Sequence, residues 1–128
     1  MSDPEDRRYS PTHQWARPNP DGTLAVGITD FAQSQLGDVM FIQLPEVGRE
    51  VAAGEACALV ESVKSASDVH APASGTIVTV NEALPDHAES LNTEPYDSWL
   101  FTLRPKTTHD YEALMSAAQY HSFIHQET

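Results

Sequence analysis

Apolar residues occur along this chain in short segments that glycine or proline separates from one another. In the segment 23–28, every second residue is leucine, valine or isoleucine, which is the period of two that is typical of a half-buried strand. Further apolar segments of strand length lie at 38–44, 56–62, 67–71, 76–80 and 99–103. Many short strands divided by turn residues predict a mainly β protein, built as a small sandwich or barrel.

Two segments of the chain instead have the features of helices. Thr29 is a suitable N-cap and Gly37 a suitable C-terminal stop, so a short helix is predicted near 29–36. A C-terminal helix is predicted near 108–119, because its apolar residues recur at helical spacing, at positions 111, 114, 115 and 118.

The length of the chain suits one domain. With 128 residues and 40% hydrophobic residues, the sequence can build one core, and we expect a single domain over residues 1–128. Charged residues dominate segment 1–8, and both this segment and the tail 121–128 are expected to be flexible. The polar, proline-containing stretch 81–98 is expected to be a long surface excursion with a single helical turn.

The chain is strongly acidic. Nineteen acidic and seven basic residues give a net charge of −12, and Arg49 and Lys64 are the only arginine and lysine between Pro18 and Leu103. Such a surface repels nucleic acid and anionic lipid, and it favours partners whose docking faces are basic. We therefore expect no binding to nucleic acid or membranes, and the sequence has no apolar run of membrane-spanning length.

Cysteine and histidine offer little chemistry here. Cys57 is the only cysteine, so no internal disulfide can form, and its apolar surroundings indicate a small buried residue. His121 and His125 have the spacing of metal ligands, but a chain end holds ligands poorly, and we expect a frayed helix end. We expect a reducing compartment, namely the bacterial cytoplasm, or a mitochondrion only if a transit peptide has been removed.

One lysine stands out because lysine is rare in this sequence. The chain has only Lys64 and Lys106, and Lys64 lies between the predicted strands 56–62 and 67–71. An exposed hairpin with serines around its tip presents a long, unbranched amine without obstructing an incoming active site. This placement suits the attachment of a cofactor that is carried from one enzyme to another.

The surroundings of Lys64 resemble a known motif. Segment 60–75 reads Val-Glu-Ser-Val-Lys-Ser-Ala-Ser-Asp-Val-His-Ala-Pro-Ala-Ser-Gly, with Glu61 three residues before the lysine and Gly75 eleven after it. It is similar to the lipoyl-attachment segment of the glycine cleavage system H-protein family. Further matches to that family lie at 13–15, 27–33, 36–39, 44–48, 80–84 and 95–96, so the resemblance covers residues 9–120.

This resemblance implies a fold, a cofactor and a role. The implied fold is the barrel-sandwich hybrid of lipoyl and biotinyl carriers, with lipoate attached covalently to Lys64 and with Glu61 recognised by the lipoylating enzyme. The implied role is that of a monomeric carrier, not an enzyme. It moves the aminomethyl group of decarboxylated glycine from a pyridoxal-phosphate glycine decarboxylase to a tetrahydrofolate-dependent aminomethyltransferase, with reoxidation by dihydrolipoamide dehydrogenase.

The resemblance also implies a cleft into which the loaded arm docks. Its residues would be Thr12, His13 and Gln14, together with Asp68 as an acid that pairs with the ammonium group of the cargo. The family usually has glutamate where this chain has Gln14, and an amide accepts a hydrogen bond but carries no charge. The alternative role for Asp68 is capping of the turn, and for Glu61 it is a solvated edge position.

Three other functions stay open on the sequence. An H-like paralogue would hold lipoate for relay or regulation outside glycine cleavage. A biotinyl carrier would have methionine on both sides of its lysine, whereas Val63 and Ser65 stand here. An enzyme that forms a Schiff base on Lys64 would need a buried amine of lowered pKa, which a polar hairpin disfavours.

Overall fold

The computed structural model describes residues 3–127, and the strands of this part of the chain form two antiparallel sheets. With strands numbered in chain order, the larger sheet contains β1 (Arg8–Tyr9), β2 (Gln14–Pro18), β3 (Leu24–Ile28), β9 (Phe101–Pro105), β8 (Gly75–Val80) and β5 (Glu50–Val51), in that spatial order. The smaller sheet contains β4 (Val39–Gln43), β6 (Ala56–Ser62) and β7 (Ala66–His70). The predicted mainly β sandwich is confirmed, and both sheets are open rather than closed into a barrel.

The two sheets share one hydrophobic core. Buried side chains of both sheets pack in a single cluster, which includes Val26, Ile77 and Leu103 of the larger sheet and Ile42, Val60 and Val69 of the smaller. A second, aromatic cluster lies on the opposite face of the larger sheet, since Ala25, which belongs to it, alternates with Val26. The second face of the larger sheet is therefore covered over β1–β3, whereas Thr79 and Arg104 on the same face of β8 and β9 are exposed.

The aromatic cluster is built around Trp15. This side chain is fully buried, and its indole N–H donates to the carbonyl of Pro95 over 3.0 Å. Trp15 is paired across the sheet with Gly27, and a methyl group at Gly27 would come within 2.4 Å of the indole ring. The absence of a side chain at Gly27 thus allows the tryptophan to lie flat against β3.

The predicted helix near 29–36 is confirmed as α1 (Asp30–Leu36). Thr29 is its N-cap, and the Thr29 hydroxyl accepts from the amide of Ala32 over 3.1 Å. Gly37 ends the helix with a φ of +80°, and its amide donates to the carbonyl of Gln33 over 3.0 Å.

Stretch 81–98 lies at the surface, as predicted, with residues such as Glu82 and Asp97 exposed, but it forms more helix than the single predicted turn and also packs into the core. It forms a 3₁₀ helix (Leu84–His87) and the short helix α2 (Ser90–Thr93), and its leucines are buried in the core. The side chain of Asn92 joins the end of α1 to β4 by donating to the carbonyl of Gly37 and accepting from the amide of Val39. The stretch is a packed part of the domain, with helical turns too short to show a helical period in the sequence.

The C-terminal helix predicted near 108–119 is divided into α3 (His109–Glu112) and α4 (Ala117–Glu127). Between them, Met115 pairs with Tyr9 through two backbone hydrogen bonds of 2.8 and 2.9 Å. These bonds hold the backbone around Met115 outside the helix. The helical segment that follows also extends farther than predicted, across most of the expected tail 121–128.

The N-terminal segment 1–8 also makes contacts with the domain. The Arg7 side chain is buried, with its guanidinium carbon 4.6 Å from the centroid of the Trp15 ring and one N–H donating to the carbonyl of Tyr96. Residues 1, 2 and 128, which belong to the two segments expected to be flexible, lie outside the described residues.

Candidate functional site

Lys64 lies in the turn of the β6–β7 hairpin. The two strands pair as far as Glu61 and Ala66, which leaves residues 62–65 to form the turn. Ser62 closes this turn, because its amide donates to the carbonyl of Ser65 over 2.7 Å and its hydroxyl accepts from the amides of Lys64 and Ser65. Residues 63–68 are all exposed, so the amine of Lys64 is accessible to another protein, as the sequence predicts.

The aliphatic stem of Lys64 lies beside the end of α1. A methyl group at Gly37 would be 3.4 Å from Cε of the lysine and 3.9 Å from Cδ. These are ordinary van der Waals distances, so the glycine is required here by its positive φ of +80° rather than by the lysine stem. A Schiff-base lysine is disfavoured, because such chemistry requires a desolvated amine and Lys64 is exposed.

A cleft of about 650 Å³ opens beside this hairpin. One wall is the turn of Thr12, His13 and Gln14, and the second is formed by α1. The third consists of the hairpin residues 65–69, and the core residues Ile28 and Val60 complete the lining. The structure therefore brings together four of the residues predicted from the resemblance, namely Thr12, His13, Gln14 and Asp68. Lys64 and Glu61 lie outside the lining.

Gln14 is enclosed by hydrogen bonds within its own turn. Only 3% of the residue is exposed, and its Oε1 accepts from the hydroxyls of Ser10, over 2.9 Å, and Thr12. Its Nε2 donates to the carbonyl of Thr12 over 2.8 Å. Both ends of the amide have partners, and a carboxylate could not make the last of these bonds because it has no donor.

His13 holds an unusual backbone conformation. Its φ of +72° makes it the one non-glycine residue with positive φ among residues 3–127. The imidazole lies beside the ring of Phe31, with the ring centroids 4.7 Å apart. The backbone carbonyl of His13 accepts from the amide of Thr29 over 3.1 Å. Phe31 was not identified from the sequence, because a single aromatic residue at the start of a helix carries no functional signal.

Asp68 lies at the rim of the cleft rather than at its base. It is paired with Leu59, whereas its neighbour Ser67 is paired with Val60. Cross-strand partners share a face of the sheet, so Ser67 lies on the cleft side together with the buried Val60. Asp68 also borders a groove on the other side of this edge strand, next to Leu59 and Gln43. Side chains two apart on a strand point to the same face, so the apolar Val69, which is buried, could have identified Ser67 from the sequence as the residue on the cleft side.

The lining of the cleft suits an apolar arm with a polar or cationic end. Apolar side chains of α1 and the core occupy part of the surface, and hydroxyl, amide and imidazole groups occupy the turn at Thr12–Gln14. Apart from the imidazole of His13, Asp68 carries the only ionisable side chain among the lining residues. A carboxylate at the rim attracts a cation without requiring an ionised group to be buried.

The remaining candidate residues carry no site. Burial raises the pKa of the Cys57 thiol to about 11, so it is a structural residue, as predicted. The rings of His121 and His125 have their centroids 4.2 Å apart and their planes inclined by 50°, and the described residues contain no cluster of three metal ligands. None of the helices between residues 3 and 127 combines the length and apolar character needed to span a membrane.

Known proteins resemble this chain over nearly its whole length. A family model described as glycine cleavage H-protein matches residues 7–127. The glycine cleavage system H protein of Azoarcus sp. (strain BH72) is 51% identical over 117 residues, which cover 91% of this chain and 92% of that protein. Glycine cleavage system H protein 2 of Pseudomonas syringae pv. tomato is 49% identical over 122 residues, or 94% of this chain and 95% of that one. The crystal structure of a glycine cleavage system H protein from Mycobacterium marinum superposes with a TM-score of 0.84, at 43% identity and 98% coverage of both chains.

Proposed function

The chain belongs to the glycine cleavage H-protein family, and we propose that it is the lipoyl carrier of that system, with lipoate attached to Lys64. The observation that supports this proposal is the position of Lys64, an exposed amine in a serine-rich turn beside a cleft. Attachment converts the ammonium into a neutral amide, so the lysine contributes its reach rather than its charge.

The residues around Lys64 fit such an arm. The stem already lies against Gly37, at the end of the helix that forms one wall of the cleft, and the cleft has room for an elongated group. When bound, lipoate supplies a strained cyclic disulfide that opens readily to a dithiol and can hold a one-carbon unit on sulfur. The chain's own contribution is to present the arm at the hairpin and to shelter its end.

The proposed cargo is the aminomethyl group left after decarboxylation of glycine. Thr12, His13 and Gln14 would exclude water from its end of the arm, and Asp68 at the rim would attract its ammonium group. Glu61 remains exposed near the tip of β6, where a lipoylating enzyme can contact it. The chain itself would catalyse no step of the cycle.

The proposed partners are the pyridoxal-phosphate decarboxylase, the tetrahydrofolate-dependent aminomethyltransferase, dihydrolipoamide dehydrogenase and the lipoylating enzyme. A net charge of −12 favours contact with basic surfaces on each of them. We propose that the chain acts as a monomer, since a carrier must leave one partner to reach the next. We also propose that it acts in the cytoplasm.

The attachment site can be tested by the intact mass of the protein as isolated from its own cells. The native chain should carry one lipoyl group, and Lys64→Arg should carry none. Lys106→Arg provides the matched control, because it removes the other lysine of the chain, which is also exposed, and should leave the lipoyl mass unchanged. A lipoyl group on the Lys64→Arg variant, or a biotinyl mass on the native chain, would refute the proposal.

Gln14 favours a second candidate function, that of a lipoyl protein used for relay or regulation outside glycine cleavage. Its neutral amide is enclosed within the turn at a position where the family usually has an acid. Reconstitution with the three partner enzymes separates the two functions. The lipoylated chain should support glycine-dependent exchange of carbon dioxide, and a lipoylated chain that supports none would refute the carrier role and leave the second function.

A further inference from the structure

Tyr120 lies on α4 and connects that helix to the cleft. The residue is fully buried, and its hydroxyl oxygen is 2.8 Å from Nδ1 of His13 and 2.7 Å from the hydroxyl oxygen of Thr29. One phenolic group thus contacts two segments that are distant from it in sequence.

The two contacted segments belong to neighbouring walls of the cleft. His13 belongs to the turn of Thr12–Gln14, and Thr29 is the N-cap of α1, the helix that carries Phe31. The positive φ of His13 is costly for a residue with a Cβ, by about 1 kcal/mol, so the turn needs other contacts to hold it. The contact with Tyr120 is one of them.

The hydrogen-bond directions are mutually consistent. The Thr29 oxygen already accepts from the amide of Ala32. Its own proton can be donated to Tyr120, which then donates to Nδ1 of His13, or each donation can run the opposite way with the other imidazole tautomer. Either arrangement provides a partner for all three groups.

Tyr120 is itself held in place. Its ring is stacked on that of Tyr9, with centroids 4.8 Å apart and planes inclined by 16°, and Phe123 of the same helix lies 6.2 Å from the His13 ring. Tyr120 is absent from the lining of the cleft, so it acts on the cleft only through His13 and Thr29.

We infer that Tyr120 is a positioning residue of the arm cleft, whose hydroxyl joins the turn at His13 to the N-terminus of α1 and thereby holds these two walls together around the group that the cleft shelters. The identity of the sheltered group rests on the proposed function, whereas the joining of the two walls does not. Loss of the hydroxyl should loosen the turn relative to α1 and expose whatever the cleft holds.

The first experiment measures amide hydrogen exchange in the full chain, without any cargo. In Tyr120→Phe, the amides of Thr29 and Ala32 should exchange about tenfold faster, because both depend on the joined segments. Tyr9→Phe is the matched control, because it removes a tyrosine hydroxyl from the same stacked pair of rings. That hydroxyl donates to the carbonyl of Pro4 rather than to a wall of the cleft. Equal exchange in the two variants would overturn the inference, whatever the chain carries.

The second experiment measures how long the loaded carrier retains its cargo in buffer without the transferase. Loss of the aminomethyl group breaks its C–S bond, with water supplying the oxygen of formaldehyde, the sulfur leaving as a thiol and the nitrogen as ammonium. Ammonium release should be several-fold faster in Tyr120→Phe and in Thr29→Val, and close to native in Tyr9→Phe and in Thr29→Ser, which keeps its hydroxyl. Accelerated exchange with unchanged release would overturn the sheltering role while leaving the lipoyl carrier intact, whereas a chain that accepts no cargo would count against the proposed function alone.

Discussion

Two turns of this molecule face the same cleft and are built in opposite ways. The turn at 62–65 carries Lys64 and is held by its own backbone and by the hydroxyl of Ser62. The turn at 10–14 contains a buried amide, a residue with positive φ and contacts with two helices. The first turn is exposed and simply closed, whereas the second, the buried turn, encloses Ser10 and Gln14 in a dense set of hydrogen bonds and exposes only Pro11 and Thr12.

The difference between the two turns fits the two tasks that we propose for them. A residue that must enter several active sites needs an exposed position with small neighbours, and further bonds to the domain would only restrict it. A surface that shelters a reactive group needs fixed walls, because a gap of one water molecule is sufficient for hydrolysis. Substitutions in the buried turn and its support should therefore affect stability and sheltering, and those in the exposed turn should affect attachment.

The largest effect on stability is expected for Gly27→Ala. The new methyl group would overlap the indole of Trp15, which follows the buried turn and is fixed by Pro95 and Arg7. Overpacking at such a site should cost about 3 kcal/mol, measured as the free energy of unfolding in urea.

Gly48→Ala is the matched control for this variant. Gly48 has a φ of +91°, but a methyl group there would meet no atom within 4 Å. The cost should therefore be limited to backbone strain, about 1 kcal/mol. Equal losses of unfolding free energy for the two variants would show that Trp15 can move and that it does not support the buried turn firmly.

A smaller effect is expected for Gln14→Glu. The ionised side chain cannot donate to the carbonyl of Thr12 and lies almost fully buried, so the variant should lose about 2 kcal/mol at pH 7. Burial raises the pKa of such a carboxyl in the folded state above its value in the unfolded chain. The loss of unfolding free energy should therefore vanish below the unfolded pKa, about 4.3, and develop as pH rises through the folded pKa.

Urea unfolding at pH 4 and pH 7 measures this difference, with the native chain as reference at each pH. Gln35→Glu makes the same chemical change at an exposed position that also lines the cleft, and its effect should stay within about 0.5 kcal/mol at both values. A Gln14→Glu variant as stable as the native chain at pH 7 would show that the turn can rearrange around a charge.

The smallest effect is expected in the exposed turn, for Ser62→Ala. This change removes the hydroxyl that accepts from Lys64 and Ser65, at a cost of about 0.5–1 kcal/mol because water replaces these bonds. The fraction of chains lipoylated, measured by mass, should fall clearly even though the free energy of unfolding changes little. Unchanged lipoylation would mean that the backbone alone orders the lysine.

Much of the fold was predictable because its signals are local. Strand β6 has the predicted bounds, and α1 lies within the predicted range because Thr29 and Gly37 cap it. The lysine between two short strands identified the hairpin in the same way. The four cleft residues instead came from the resemblance, since nothing local connects the turn at His13 with Asp68.

Other features depend on contacts between distant residues. The apolar spacing around Met115 fits a continuous helix, and the helix is interrupted because Tyr9 bonds to this backbone from the other end of the chain. Tyr120 had no signal for the same reason, since its partners lie in the turn at His13 and at the start of α1.

The residues that close the β6–β7 turn are near neighbours in sequence, whereas the residues joined by the Tyr120 contact are far apart. The lysine turn is closed by residues three positions apart, whereas 107 positions separate Tyr120 from His13. During synthesis from the N-terminus, every residue of the attachment hairpin emerges long before α4, so the sheltering cleft is completed last. A chain that loses its final helix would retain the lysine that we propose accepts the arm, and it would lack the Tyr120 contact that we propose protects the arm's cargo.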